Sequence, residues 1–188
     1  MFSVVRFGSL TQFNTSLPFL IQPGNGAGEM GPVIDKASHD KILKYITAAE
    51  KDGAKILLDG RSWKRDTGCW IGPTIILHKS SSDKTMCEEV FGPVLSIYQC
   101  SSWEEAVEIE NANPFGNAAS IYTTNGANAE WFTSRFRAAM LGVNIGIPVP
   151  REPFSYVSCS VVFAAVARIV IFVLYLISNL RFLLSFLC

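Results

Sequence analysis

The chain has 188 residues, 49% of them hydrophobic and 17% charged, with 16 basic side chains against 16 acidic ones. That size allows one ordinary core, in one domain or part of one. A net charge of zero lacks the basic footprint of a nucleic-acid binder, and so much apolar material is foreign to a disordered chain.

Charge divides the sequence in three. All sixteen acids lie between residues 29 and 152, with thirteen bases between 36 and 151, so this middle stretch carries a net −3. Residues 1–22 hold Arg6 alone, and residues 153–188 hold only Arg168 and Arg181. The five cysteines (Cys69, Cys87, Cys100, Cys159 and Cys188) are odd in number and form no Cys-x-x-Cys pair. Neither a disulfide framework nor a zinc site fits them, and His39 and His78 add no ligand spacing. Reduced thiols of an intracellular protein are the expectation.

In chain order, Ser38 is read as an N-cap. Behind it Ile42, Leu43, Ile46 and Ala49 recur at helical spacing, and Gly53 closes the helix. A strand over 55–58 stops at Asp59-Gly60, a turn pair, and 61–69 is polar loop or hairpin. Strands follow over 74–77 and 94–98. Ser101 with Glu104, and Ser102 with Glu105, offer two overlapping capping boxes for a helix that runs to about Ala112. Residues 113–117 break it, 119–123 form a strand, and Asn125-Gly126 turns into a helix from Ala127 to about Arg137. A last strand covers 142–145. The class is α/β: an open, partly parallel sheet with helices on both faces. Ligands in such sheets sit beyond the carboxyl ends of the strands, which marks Thr123-Thr124 and the loop 146–150 as candidate walls of a site.

Four stretches resemble one known family. Glu89-Val90-Phe91-Gly92-Pro93 is similar to the Glu-x-Phe-Gly-Pro signature of the aldehyde dehydrogenase superfamily. Gly72-Pro73-Thr74 resembles its Pro-Thr strand start. Asn113-Pro114-Phe115-Gly116, followed by Ile121-Tyr122-Thr123, resembles its NxxxYGL…iFT segment. Gly142-Val143-Asn144 is similar to its late G-x-V-x-N strand. Within the superfamily, Ile147-Pro148-Val149-Pro150, Gly31-Pro32-Val33-Ile34, Leu57 through Arg61 and Asn117 look like the methylmalonate-semialdehyde dehydrogenases, the CoA-acylating branch. The resemblance spans residues 23–156 and corresponds to the later part of the family's catalytic domain.

The resemblance implies NAD-dependent oxidation of a small aldehyde, methylmalonate or malonate semialdehyde, in valine and pyrimidine catabolism. A thiolate attacks, hydride passes to NAD, carbon dioxide is lost and coenzyme A accepts the acyl group. It implies that Glu89 binds the nicotinamide ribose hydroxyls and that Phe91 packs near the nicotinamide ring. It places Phe154 in the substrate tunnel and Asn144 on a strand beside the site. Without it, Glu89 would be a solvated charge and Phe91 a core residue. It also implies a mitochondrial setting and leaves room for a homo-oligomer.

The same resemblance puts the catalytic cysteine, the general-base glutamate and the Gly-containing dinucleotide half upstream of everything matched. No catalytic residue is therefore assigned, and Cys87 does not match the nucleophile. A chain without those parts is expected to be inactive alone. Residues 1–22 do not resemble the family and superficially fit a mitochondrial presequence or an arbitrary upstream stretch. Residues 157–188 are an apolar, helical tail. Between 157 and 180 it holds fourteen Val, Ile, Leu or Phe and one charge, Arg168, enough to span a bilayer. Two readings of this tail stand: a membrane anchor, and translation past a missing splice junction. Two further alternatives follow for the chain. One is a membrane-tethered, non-catalytic fragment that docks on full-length subunits. The other is a fragment of a hydrolytic aldehyde dehydrogenase, suggested by Arg151-Glu152.

Overall fold

A computed structural model describes residues 2–7, 22–24, 26, 29–63, 67–146 and 169–173. The chain divides into two compact units, one within residues 10–97 and the other within 2–9 and 98–176. Nine strands and four helices are described: β1 (Phe2–Phe7), β2 (Gln22–Pro23), β3 (Glu29–Met30), α1 (Lys36–Lys51), β4 (Lys55–Leu58), β5 (Thr74–His78), α2 (Lys84–Cys87), β6 (Val94–Cys100), α3 (Trp103–Ala112), β7 (Ala118–Tyr122), α4 (Gly126–Arg135), β8 (Met140–Val143) and β9 (Ile169–Val173).

In the first unit, α1 is one turn longer at its start than the apolar spacing predicts. Its N-cap is Asp35, not Ser38: the Asp35 carboxylate accepts from the Ser38 backbone N–H at 2.6 Å. An ionised carboxylate is a strong cap acceptor, and those bonds hold Asp35 below the usual carboxylate range. Gly53 does close the helix. It sits at φ +93, with its N–H on Glu50 O and the Ala54 N–H on Ala49 O, a Schellman pair. Ile42, Ile46 and Ala49 turn inward onto Ile76, Val90 and Val94. Each fully buried isoleucine contributes about 2 kcal/mol of apolar transfer free energy. Strands β4 and β5 pair antiparallel with a register shift between Ile56 and Leu58, and β6 is the neighbour of β5.

In the second unit, β7 pairs parallel with β8, Ser120 opposite Gly142, as the strand-helix-strand run requires. Ser102 caps α3 by accepting from the Glu105 N–H, and Glu105 reaches back to the Ser101 N–H. The second of the two capping boxes is the one used. Asn125 caps α4 through Ala127, so the expected Asn-Gly turn is a helix start. Strand β8 begins two residues earlier than expected. The core joins Ala106 and Val107 of α3, Ala119 and Ile121 of β7, and Phe132 of α4. Trp103 and Trp131 meet edge-to-face at 6.3 Å between ring centroids.

Four strands lie in stretches to which the sequence assigned none: β2 and β3, which pair parallel with each other, and β1 and β9. Strand β1 pairs parallel with β9, and β9 pairs parallel with β7, Ser120 opposite Ile171. Of the tail expected to be helical, only residues 169–173 are described, and these form this strand. The physical reason is composition: Ile169, Val170, Ile171 and Val173 are β-branched, and such side chains favour the pleated surface. The rest of the tail lies outside the described residues. Among the described residues no helix is long and apolar enough to cross a membrane.

Candidate functional site

The Glu89–Pro93 motif follows α2, a four-residue helix that the sequence pattern did not reveal. The motif alternates its side chains. Val90 is buried at 1% exposure and anchors the loop, and Glu89 is half-buried. Phe91 stands 74% exposed with φ +53. A bulky residue rarely adopts that left-handed conformation, and holding it there costs about 1–3 kcal/mol. The loop is fastened at its far end. The Thr74 N–H donates to Pro93 O at 2.9 Å, and the Val94 N–H donates to Gly92 O at 2.7 Å. A Cβ on Gly92 would lie 2.4 Å from Ile42 Cδ1, so the motif glycine permits the close approach to α1.

Ahead of the motif, Glu88 accepts a hydrogen bond from the Tyr45 hydroxyl and lies 3.9 Å from Lys84 Nζ. Bonding to the carboxylate raises the Tyr45 pKa, because the ionised phenol would face a like charge. The ammonium of Lys84 lies over the Tyr45 ring at 5.3 Å from its centroid. Deeper in the unit, the buried His78 places Nδ1 2.9 Å from Asp83 Oδ2 and Nε2 3.1 Å from Thr85 Oγ1. Burial lowers the His78 pKa, and Asp83 opposes that shift. Neither cluster was legible in the sequence. Apart from the Lys84–Glu88 pair, their partners are 5 to 43 residues apart, and no helical or strand period links them.

In the second unit, Asn144 also sits at positive φ, +56. Its amide binds both backbone groups of Thr123, with Oδ1 accepting from the N–H and Nδ2 donating to the carbonyl, each at 2.9 Å. Its own N–H reaches Ile121 O at 2.8 Å. The side chain thus extends the β7–β8 ladder beyond the last strand residue and fixes the strand ends. Phe154, the fourth site residue expected, lies outside the described residues, as does most of the candidate loop 146–150.

Of the described cysteines, Cys100 is buried and Cys87 exposed. Burial pushes the Cys100 thiol up to about 12, with Glu105 and Glu110 adding to the rise. Cys87 is exposed, and its Sγ lies 3.6 Å from the Ser81 carbonyl with no His, Lys or Arg bond. No group of three or more potential metal ligands occurs among the described residues.

Glu89 and Phe91, the two residues expected to meet the nicotinamide riboside, lie two positions apart on one loop of the first unit. A carboxylate can accept from two vicinal hydroxyls, and an aromatic face held out of the core is free to pack on a planar ring. Comparison with known proteins gives the family of the chain. Residues 16–157 match the aldehyde dehydrogenase family. Malonate-semialdehyde dehydrogenase 2 of Geobacillus kaustophilus is 41% identical over 138 residues, 71% of this chain and 28% of that protein. A Drosophila pseudoobscura pseudoobscura protein is 43% identical over 131 residues, 68% of this chain and 25% of its own. It carries the name methylmalonate-semialdehyde/malonate-semialdehyde dehydrogenase, acylating, mitochondrial, given there as probable. The crystal structure of methylmalonate-semialdehyde dehydrogenase from Oceanimonas doudoroffii superposes with a TM-score of 0.68 at 32% identity, over 72% of this chain and 29% of that one. An NAD+ complex of aldehyde dehydrogenase from Bacillus cereus superposes at 0.62 and 27% identity, over 69% and 27%. The chain therefore spans about a quarter of the length of the curated relatives it matches. With a family match over residues 16–157 and the motif loop folded as described, the chain belongs to the aldehyde dehydrogenase family.

Proposed function

We propose that this chain is the cofactor-ribose portion of an NAD-dependent, CoA-acylating methylmalonate- or malonate-semialdehyde dehydrogenase, and that it does not turn over alone. The observation that carries the reading is Phe91: an exposed ring on a left-handed backbone, two residues from Glu89. Strain of that kind persists where the surroundings impose it, and it gathers at functional sites. NAD, when bound, supplies the hydride acceptor. The chain's own residues orient it: Glu89 accepts from the ribose hydroxyls, and Phe91 covers one face of the ring. Asn144 holds the ends of β7 and β8 as a wall for the aldehyde, and the family resemblance assigns Phe154 to the substrate tunnel. Coenzyme A as acyl acceptor follows from the branch resemblance, and no residue here is assigned to it. A mitochondrial setting rests on the Drosophila names, although bacterial proteins match as well. Assembly as a homo-oligomer belongs to the same reading.

The test has two parts. The 188-residue chain is assayed for NADH formation with malonate semialdehyde, NAD and CoA, and no turnover is expected; turnover above background overturns the inactive-alone reading. Residues 23–156 then replace the matching segment of the Geobacillus kaustophilus relative. In that chimera Glu89→Gln should raise the KM for NAD about tenfold, since a hydrogen bond to a charged group is worth about 1.5 kcal/mol or more. An unchanged KM would remove Glu89 from the cofactor site.

A further inference from the structure

We propose that His78 is a positioning residue: clasped between Asp83 and Thr85, it sets the placement of α2 and, through it, of Glu89 and Phe91. The role of those two residues rests on the reading above; the clasp itself does not. The polarity of the clasp follows from its chemistry. The Asp83 carboxylate only accepts, so His78 Nδ1 carries the proton. A neutral imidazole then leaves Nε2 as acceptor, and the Thr85 hydroxyl donates to it. The Thr85 carbonyl accepts in turn from Ser96 Oγ at 3.2 Å. One network therefore ties β5, the start of α2 and β6.

The order hydroxyl, imidazole, carboxylate is that of a catalytic triad, but catalysis does not fit. Thr85 is 1% exposed and His78 is fully buried, so no substrate reaches the hydroxyl. Positioning does fit. A four-residue helix cannot hold itself together and depends on tertiary partners. Asp83 is its N-cap residue yet makes no side-chain cap bond, because its carboxylate is committed to His78. Two of the three backbone bonds that close the turn, Met86 N–H and Cys87 N–H to Asp83 O, end on the residue His78 holds; the third runs from Glu88 N–H to Lys84 O. Glu89 follows α2 by two positions, and the motif's other end is fixed at Thr74 and Ile42. Glu88, between α2 and the motif, is also tied to the Lys84 carbonyl by its N–H and to Tyr45 by its carboxylate, so freeing Asp83 loosens the near end of the motif without releasing it, while the far end stays.

The experiment uses the full 188-residue chain and follows backbone amide exchange over 84–93, with α1 as internal control. His78→Phe keeps a ring of similar bulk and removes both hydrogen bonds; it should speed exchange over 84–93 about tenfold and leave α1 unchanged. Asp83→Asn and Thr85→Val should give smaller increases in the same window, and His78→Gln, which keeps a donor and an acceptor, should recover part of the protection. Should His78→Phe fail to fold, Asp83→Asn and Thr85→Val decide the matter. No change over 84–93, or an equal change in α1, overturns the proposal. NAD is then added, and the amide shifts of Glu89 and Phe91 are followed. Saturation at higher NAD in His78→Phe than in the unsubstituted chain is the result expected of a positioning residue. Loosening without any NAD response in the unsubstituted chain overturns the cofactor reading and leaves the clasp standing. An NAD response with no loosening does the reverse.

Discussion

At the scale of single residues, Phe91 and Gly60 show how differently backbone geometry can be used. An apolar side chain that served stability would be buried, and losing it would cost about 3–5 kcal/mol. Phe91 is 74% exposed and strained, so Phe91→Gly should leave the chain as stable as before or raise stability by up to about 1 kcal/mol. Urea denaturation measures this, and a loss of several kcal/mol would mean that the ring packs as core. Gly60 is the opposite case. Its N–H donates to Thr74 Oγ1 at 3.1 Å and its carbonyl accepts from the Gly72 N–H at 2.9 Å. A Cβ on Gly60 would lie 2.0 Å from Gly72 O, a backbone atom that cannot swing aside. Gly60→Ala should therefore destabilise by about 2 kcal/mol, read from the same denaturation curve. The sequence carried Gly60 as a turn residue after Asp59, which is right in place and incomplete in cause: the close approach comes from the backbone of Gly72, just ahead of β5. Glu89 and Phe91 were legible only because they resemble a known motif. Nothing in the period or polarity of that stretch marks the left-handed φ.

At the scale of elements, legibility followed length and periodicity. Helix α1 has sixteen residues and a clear inward stripe, so it was readable apart from its cap, where Ser38 masked the stronger acceptor Asp35. Helix α2 has four residues and no period at all. Strand β9 lies in a uniformly apolar run, and such a run does not distinguish helix from strand. The His78 clasp that holds α2 has a pH signature. Burial depresses the folded-state pKa of His78 below its ordinary value of 6.5, with Asp83 partly opposing. On acidification the unfolded chain takes up the proton first. The contribution of neutral His78 to stability is thus fully present above pH about 6.5 and is lost as pH falls from there toward the folded-state value. Chemical denaturation across that window should show stability falling with acid, and His78→Gln should flatten the fall. An equal slope in both proteins would place the titration elsewhere.

At the scale of the whole molecule, the class was readable and the strand count was not. The alternation of strand and helix between 94 and 143 produced the parallel β7–β8 pair it implied. Strands β1 and β9 fall outside the 16–157 stretch that carries the family pattern, so no motif could announce them. The amount of cofactor site in the chain has a thermodynamic measure. If Glu89 and Phe91 are its whole share, only the nicotinamide riboside end is held, and a dissociation constant of about 1 mM is appropriate to two contacts. At 1 mM NAD, linkage then stabilises the folded chain by about 0.4 kcal/mol, a rise of roughly 1–2 °C in Tm. A site complete enough to bind a hundredfold tighter would give about 2.7 kcal/mol and a rise above 5 °C at the same concentration. A thermal melt with and without NAD separates the two, since the ligand acts through the folded state alone. The small rise is expected, and Phe91→Gly should abolish it while leaving the melt without NAD unshifted or slightly higher. A large rise would mean that the chain holds far more of the cofactor than its ribose-binding loop.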